Sequence, residues 1–199
     1  MMSQTALIEG YASVFEMPDL NGDVVAPGAF SASLMRRPAA DVKMLYQHAA
    51  ETPIGRWASL REDSTGLYAV GEILLTSETG REVYELLAGG AIDGLSIGYR
   101  TVRAERDRRS GRAGGQNENG AHSRSGRRRI IEADLWEVSV VTFPMADGAR
   151  VARLGAPRND GPPRAGVIAR NPQGGASLVP GEERLFADAI RGAADILSV

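Results

Sequence analysis

From Ile130 to Phe143 the chain reads Ile-Ile-Glu-Ala-Asp-Leu-Trp-Glu-Val-Ser-Val-Val-Thr-Phe, and it then meets Pro144. So much Ile, Val and Trp in one run favours an extended strand, and the proline ends it. Other segments repeat the signal. Thr5 to Ser13 alternates apolar and polar residues, and Val42 to His48 places Val42, Met44, Tyr46 and His48 on one face. Gly55–Leu60 and Leu67–Leu75 flank Asp63-Ser64-Thr65-Gly66, which predicts a hairpin. A further strand is predicted from Leu95 to Arg103, with Leu95, Ile97 and Tyr99 on one face and Ser96, Gly98 and Arg100 on the other. Helical signals are few. One short helix is predicted over Pro27–Met35, ending before Pro38. Another runs from an N-cap at Ser77 to Ala88, with Val83, Leu86 and Leu87 buried and Gly89-Gly90 as a left-handed exit. The expected fold is therefore mostly β with helices (α+β).

At 199 residues, 43% of them hydrophobic, the chain has material for one domain and its tails. That domain is expected over 1–152. Within it, residues 103–129 hold nine arginines against Glu105, Asp107 and Glu118, and predict a flexible arginine-rich insert in a hairpin. The rest of the chain is acidic, so no specific nucleic-acid partner is expected. Beyond it, Gly155-Ala156-Pro157, Gly161-Pro162-Pro163 and Gly174-Gly175 predict a flexible linker over 153–180. Residues 181–199 predict an amphipathic helix, with Leu185, Phe186, Ala189, Ile190, Ala193 and Ile196 at helical spacing. Neither a long apolar run nor the pattern of a signal peptide is present, which predicts a soluble, non-secreted protein with no membrane partner.

The chain has no cysteine, which removes disulfides, thiolate metal sites and cysteine nucleophiles. Gly94-Leu95-Ser96-Ile97-Gly98 formally matches the G-x-S-x-G nucleophile elbow. An elbow hydrolase needs its histidine after the serine, and the only one there is His122, in the polar stretch Asn117 to Ser123. The strand-rich pattern also lacks the strand–helix alternation of that fold. What remains is the order His, Ser, acid, with His48 as general base and Ser96 as nucleophile. By spacing alone, His48 equally fits a hydrogen-bonded histidine at a strand end, and Ser96 a small residue between glycines. Asp23 is expected to organise the Asn21-Gly22-Asp23 turn, and Asp93 to cap the start of the Gly-Leu-Ser strand. A small serine esterase depending on His122 is a further reading.

Seven blocks occur together in one order: Gly10-Tyr11-Ala12-Ser13-Val14-Phe15; Asn21-Gly22-Asp23-Val24-Val25; Pro27-Gly28-Ala29-Phe30; Leu45-Tyr46-Gln47-His48; Pro53-Ile54-Gly55; Gly94-Leu95-Ser96-Ile97-Gly98-Tyr99; and Glu137-Val138-Ser139-Val140-Val141-Thr142-Phe143-Pro144. Over about residues 5–152 the chain resembles the prohead proteases of tailed phages and gene transfer agents. That resemblance implies a closed or partly closed β-barrel flanked by helices, similar to the herpesvirus maturational protease. It implies His48 and Ser96 as the catalytic pair and Glu137 as the acid that orients the histidine. Glu132 and Asp134, on the same strand face, are its rivals. A carboxylate in so apolar a strand is costly unless paired, and an imidazole N–H would pair it. Oxyanion donors are sought at Gly94, Gly98 and the turn from Pro144 to Gly148. The implied activity is an endopeptidase that trims the scaffolding segment of the major capsid protein and then itself, inside the assembling prohead in the bacterial cytoplasm. A homodimer or oligomer, and contact with the portal, belong to the same expectation; no cofactor or metal does. A catalytically inactive internal scaffold of the same fold is the alternative.

Overall fold

The structure is a computed structural model and describes residues 3–106 and 127–160. Strand β1 (Ser3–Val14) lies antiparallel to β5 (Gly66–Leu74), and β5 antiparallel to β4 (Pro53–Glu62). The predicted hairpin joins those two, its turn held by Asp63, whose Oδ1 accepts the Thr65 and Gly66 N–H groups. β4 continues to β3 (Lys43–Tyr46), which runs parallel to β7 (Arg128–Val141). β7 in turn pairs antiparallel with β6 (Gly94–Arg106). The short β2 (Val24–Val25) joins the start of β7, while β8 (Val151–Leu154) and β9 (Arg158–Asp160) both pair with β1.

Among the described residues nine strands thus form one sheet around a core in which Ile8, Trp57, Ile73, Leu95, Leu135 and Val138 are fully buried. The Trp57 indole N–H donates to the Val138 carbonyl at 3.3 Å, so the largest core side chain leaves no polar atom unpaired. Mostly β with few helices is the observed class. The closed barrel is not: among the described residues no ladder joins β6 to β8. Only an isolated bridge between Gly94 and Arg150 links them, with Leu95 N–H on Ala149 O at 2.9 Å and Val151 N–H on Asp93 O at 2.8 Å.

Helix α1 (Ser31–Arg36) is shorter than the predicted segment and has no cap from its own side chains. Glu62 of β4 supplies one, accepting the Phe30 N–H at 2.9 Å and the Ser31 hydroxyl at 2.5 Å. Helix α2 (Glu78–Ala88) starts as expected, with Ser77 Oγ accepting the Gly80 N–H at 3.0 Å. Val83 is buried, but Leu86 is 37% exposed, and the left-handed exit is Gly90 alone.

The limits of the insert and of the sheet also differ from the sequence reading. β6 runs to Arg106 and β7 starts at Arg128, so both ends of the predicted insert are paired ribbon. Its side chains are mostly exposed, which leaves no alternation of burial to read from sequence. β8 and β9 likewise carry the sheet past residue 152 through backbone bonds to the edge of β1. Residues 107–126, and the predicted linker and terminal helix beyond Asp160, lie outside the described residues. No described helix is long and apolar enough to cross a membrane.

Candidate active site

β7 sets the geometry of the site because it pairs with β6 on one edge and with β3 on the other. Leu95 of β6 faces the core, so Ser96 faces away from it, opposite Ser139 in the register. Glu137 stands opposite Gly98 on that same outward face. Strict alternation from Leu135, which is buried, would have turned Glu137 inward. A bulge prevents this: Tyr99 pairs with Leu135 but Gly98 with Glu137, so Trp136 is the extra residue and is 53% exposed. One inserted residue therefore moves the carboxylate from the core to the site, on the face that also carries Asp134.

His48 reaches the same face by a different local device. Continued alternation from Met44 would have aimed it at the core, but β3 stops at Tyr46, and Gln47 and His48 both adopt left-handed backbone, φ 54° and 59°. Such conformations are unfavourable for residues with a Cβ and persist where surroundings hold them. The hold is visible. The Gln47 N–H donates to Val140 O at 2.9 Å, its side-chain Nε2 donates to Thr142 Oγ1 at 2.6 Å, and Ala49 N–H closes back on Tyr46 O at 3.0 Å. The imidazole is turned outward over β7 and β6.

Three predicted residues meet there. His48 Nε2 is 2.9 Å from Ser96 Oγ, and His48 Nδ1 is 2.6 Å from Glu137 Oε1. A carboxylate only accepts, so Nδ1 carries the proton and Nε2 presents a lone pair to the serine hydroxyl. The Glu137 hydrogen bond, reinforced by its charge, raises the His48 pKa above the ordinary 6.5, against partial burial that acts in the opposite direction. The imidazole remains partly open to solvent, whereas Ser96 beneath it is only 2% exposed.

The rival carboxylates are elsewhere. Asp134 is held by Trp136 Nε1 at 2.9 Å, Ser33 Oγ at 3.4 Å, and the Arg37 and Arg100 guanidinium groups. Glu132 pairs in register with Arg103, five positions along β7 from Glu137. Asp23 forms a two-pronged pair with Arg128, and it is Asp19 Oδ1 that organises the turn, accepting the Asn21 and Asp23 N–H groups. Asp93 pairs with Arg150 at 3.7 Å rather than capping the strand. His122 lies outside the described residues. Among the described residues no three His, Cys, Asp or Glu side chains cluster as a metal site would require.

The glycines of the motif are explained by space. A Cβ at Gly98 would lie 2.8 Å from both Cδ and Cγ of Glu137 and closer still to Oε1. A Cβ at Gly94 would meet Val141 O at 2.6 Å and Pro144 Cδ at 2.9 Å, where β6 starts beside the bridge to Arg150. Gly98→Ala is therefore expected to swing the Glu137 carboxylate off the imidazole. Any turnover that depends on the Ser96–His48–Glu137 arrangement is expected to fall by about 10²-fold in kcat/KM, the scale of a 1 Å misplacement, with a much smaller change in thermal midpoint. Parent activity in that variant would refute the assignment of this space to Glu137. Sequence reasoning did not identify Ser139 or the Gln47–Thr142 clamp. Ser139 was legible in part, standing two residues beyond Glu137 on the same strand; no sequence signal marks the clamp.

Among solved structures the chain is similar to Kaposi's sarcoma herpesvirus protease in complex with a hexapeptide phosphonate inhibitor, with a TM-score of 0.46, 16% identity, and coverage of 76% of this chain and 65% of that one. It is also similar to varicella-zoster virus protease, with a TM-score of 0.42, 11% identity, and coverage of 76% and 64%. The prohead protease of Enterobacteria phage HK97 is 33% identical over 150 residues, 74% of this chain, and the chain spans 60% of that relative's length. The profile of the caudovirus prohead serine proteases matches residues 2–158, and the chain belongs to that family.

Proposed function

We propose that this chain is a serine endopeptidase that matures the prohead, cleaving the scaffolding segment of the major capsid protein and then itself. The observation that carries the proposal is the contact of His48 Nε2 with Ser96 Oγ at 2.9 Å, with Glu137 at the other ring nitrogen. Ser96 Oγ attacks the scissile carbonyl carbon while Nε2 takes its proton. The imidazolium so formed is stabilised by the Glu137 carboxylate, which stays ionised. The tetrahedral intermediate collapses as Nε2–H delivers that proton to the leaving amine, and an acyl-enzyme on Ser96 remains. Water, deprotonated by the same nitrogen, then releases the acid and restores the hydroxyl. Donors for the oxyanion are sought among the backbone N–H groups at Gly94, at Gly98 and in the turn from Pro144 to Gly148.

Membership of the family supports a substrate in the capsid, hence action inside the assembling prohead in the host cytoplasm. Self-association and contact with the portal belong to the same proposal. The test is co-expression with the major capsid protein. Intact mass is expected to show a shortened subunit beside the parent chain and a full-length one beside His48→Ala. A full-length subunit in assembled particles beside the parent chain would overturn the proposal in favour of a non-catalytic scaffold.

A further inference from the structure

Directly opposite Ser96 in the β6–β7 register stands a second serine, Ser139, whose relative exposure is 0%. A hydroxyl sealed from water must find a partner inside the protein. Ser139 Oγ donates to Glu137 Oε2 at 2.5 Å, while the other oxygen of the same carboxylate accepts from His48. Two donors, one from the turn after β3 and one from β7 itself, thus engage the two oxygens of one side chain. A glutamate bonded only to the imidazole would keep freedom about its terminal torsion, which is broad. With both oxygens engaged, and Gly98 leaving the space for it, the carboxylate plane is fixed.

Resting on the proposed catalytic role of His48 and Glu137, we infer that Ser139 is a positioning residue for the reaction: it locks the Glu137 carboxylate in the orientation that keeps the proton on His48 Nδ1. Its hydroxyl is engaged by Glu137, and it acts through that carboxylate. The side chains form one relay across two strands and a turn, from Ser139 to Glu137 on β7, to His48 in the turn after β3, to Ser96 on β6. A hydrogen bond to an ionised acceptor is about twice as strong as a neutral one, which gives this hydroxyl more leverage than an ordinary buried serine.

The experiment uses the full chain, which has only two histidines, so the His48 imidazole resonance can be followed directly by NMR as pH is varied. In Ser139→Ala the His48 midpoint is expected to fall towards 6.5, because the bond to Glu137 is the largest cause of its elevation. Peptide-cleavage kcat/KM is expected to fall about 10-fold in the same variant. When Glu137→Gln is already present, adding Ser139→Ala should change kcat/KM by less than about twofold, since residues that act through one another are not additive. Ser139→Cys, which keeps the shape with a slightly larger atom and offers a weak donor, should fall between parent and alanine, and it supplies the same titration if the alanine variant folds poorly. A thermal midpoint that drops while the His48 titration stays at the parent value would make Ser139 merely structural and overturn the inference. So would independent effects of Ser139→Ala and Glu137→Gln. If Ser96→Ala left cleavage intact, the catalytic reading would fail by itself, and the His48 titration would still report whether Ser139 orients Glu137.

Discussion

Ser96→Ala is expected to lower kcat/KM for cleavage of a capsid-derived peptide by about 10⁶-fold while leaving the fold intact. The size follows from what is removed. In the proposed mechanism the hydroxyl oxygen forms the acyl bond, and among the described residues no other serine hydroxyl bonds to His48 Nε2. Stability should change by less than about 1 kcal/mol, because alanine fits the same space and the lost hydrogen bond runs to a partly exposed imidazole. A second expectation follows from the relay. His48→Ala should reach nearly the same residual rate as Ser96→Ala, and the double variant should be no slower than either, since the two groups work as one unit. His122→Ala serves as the control and should cleave at the parent rate. Single-turnover measurements with the peptide, read by mass spectrometry, decide the matter. Parent rates in Ser96→Ala, or the same self-shortened product, would remove the nucleophile assignment. Loss of activity in His122→Ala but not in His48→Ala would restore the esterase reading.

The sequence made the strand pairs legible where one face is buried and the other is wet. β5 and the hairpin to β4 were found that way, and so was β6 up to Arg103. It was silent where pairing rests on backbone alone: the solvated end of the β6–β7 ribbon, and the edge strands β8 and β9. At the candidate site the residue types were readable and their directions were not. Alternation from Met44 aims His48 at the core, and alternation from Leu135 does the same for Glu137. Both reach the outer face through local departures from regular strand, the paired left-handed residues Gln47-His48 and the bulge at Trp136. Such departures are where sequence periodicity is expected to fail, because functional sites accept irregular backbone that a plain sheet would not. Family resemblance supplied Glu137 because it rests on blocks of residues in order, and those blocks are indifferent to which way a side chain turns. Ser139 sat within one of those blocks, unassigned, because its role depends on a register that only the paired strands reveal.

Glu137→Gln is expected to produce the second large loss, about 10⁴-fold in kcat, together with a shift in pH dependence that no loss of folding would mimic. The amide can donate to His48 Nδ1, which stabilises the tautomer whose proton sits on Nε2, facing Ser96 with no lone pair to offer. The charge that raises the His48 pKa is removed as well. In the parent the base is neutral only above its elevated pKa, so the acid limb of kcat/KM should have its midpoint above 6.5. In the variant both causes of elevation are gone and partial burial alone remains, so the residual activity should have its acid limb at 6.5 or below. Stability runs with the opposite sign to activity. A histidine whose folded pKa is raised contributes stability that is fully present below its unfolded value near 6.5 and is lost as pH rises through the folded value. The gap in thermal midpoint between parent and Glu137→Gln should therefore be widest on the acid side of that window and narrow above it. If the acid limb kept its parent midpoint in Glu137→Gln, the carboxylate would not be the group that sets the His48 proton, and Glu132 or Asp134 would have to be tested in its place.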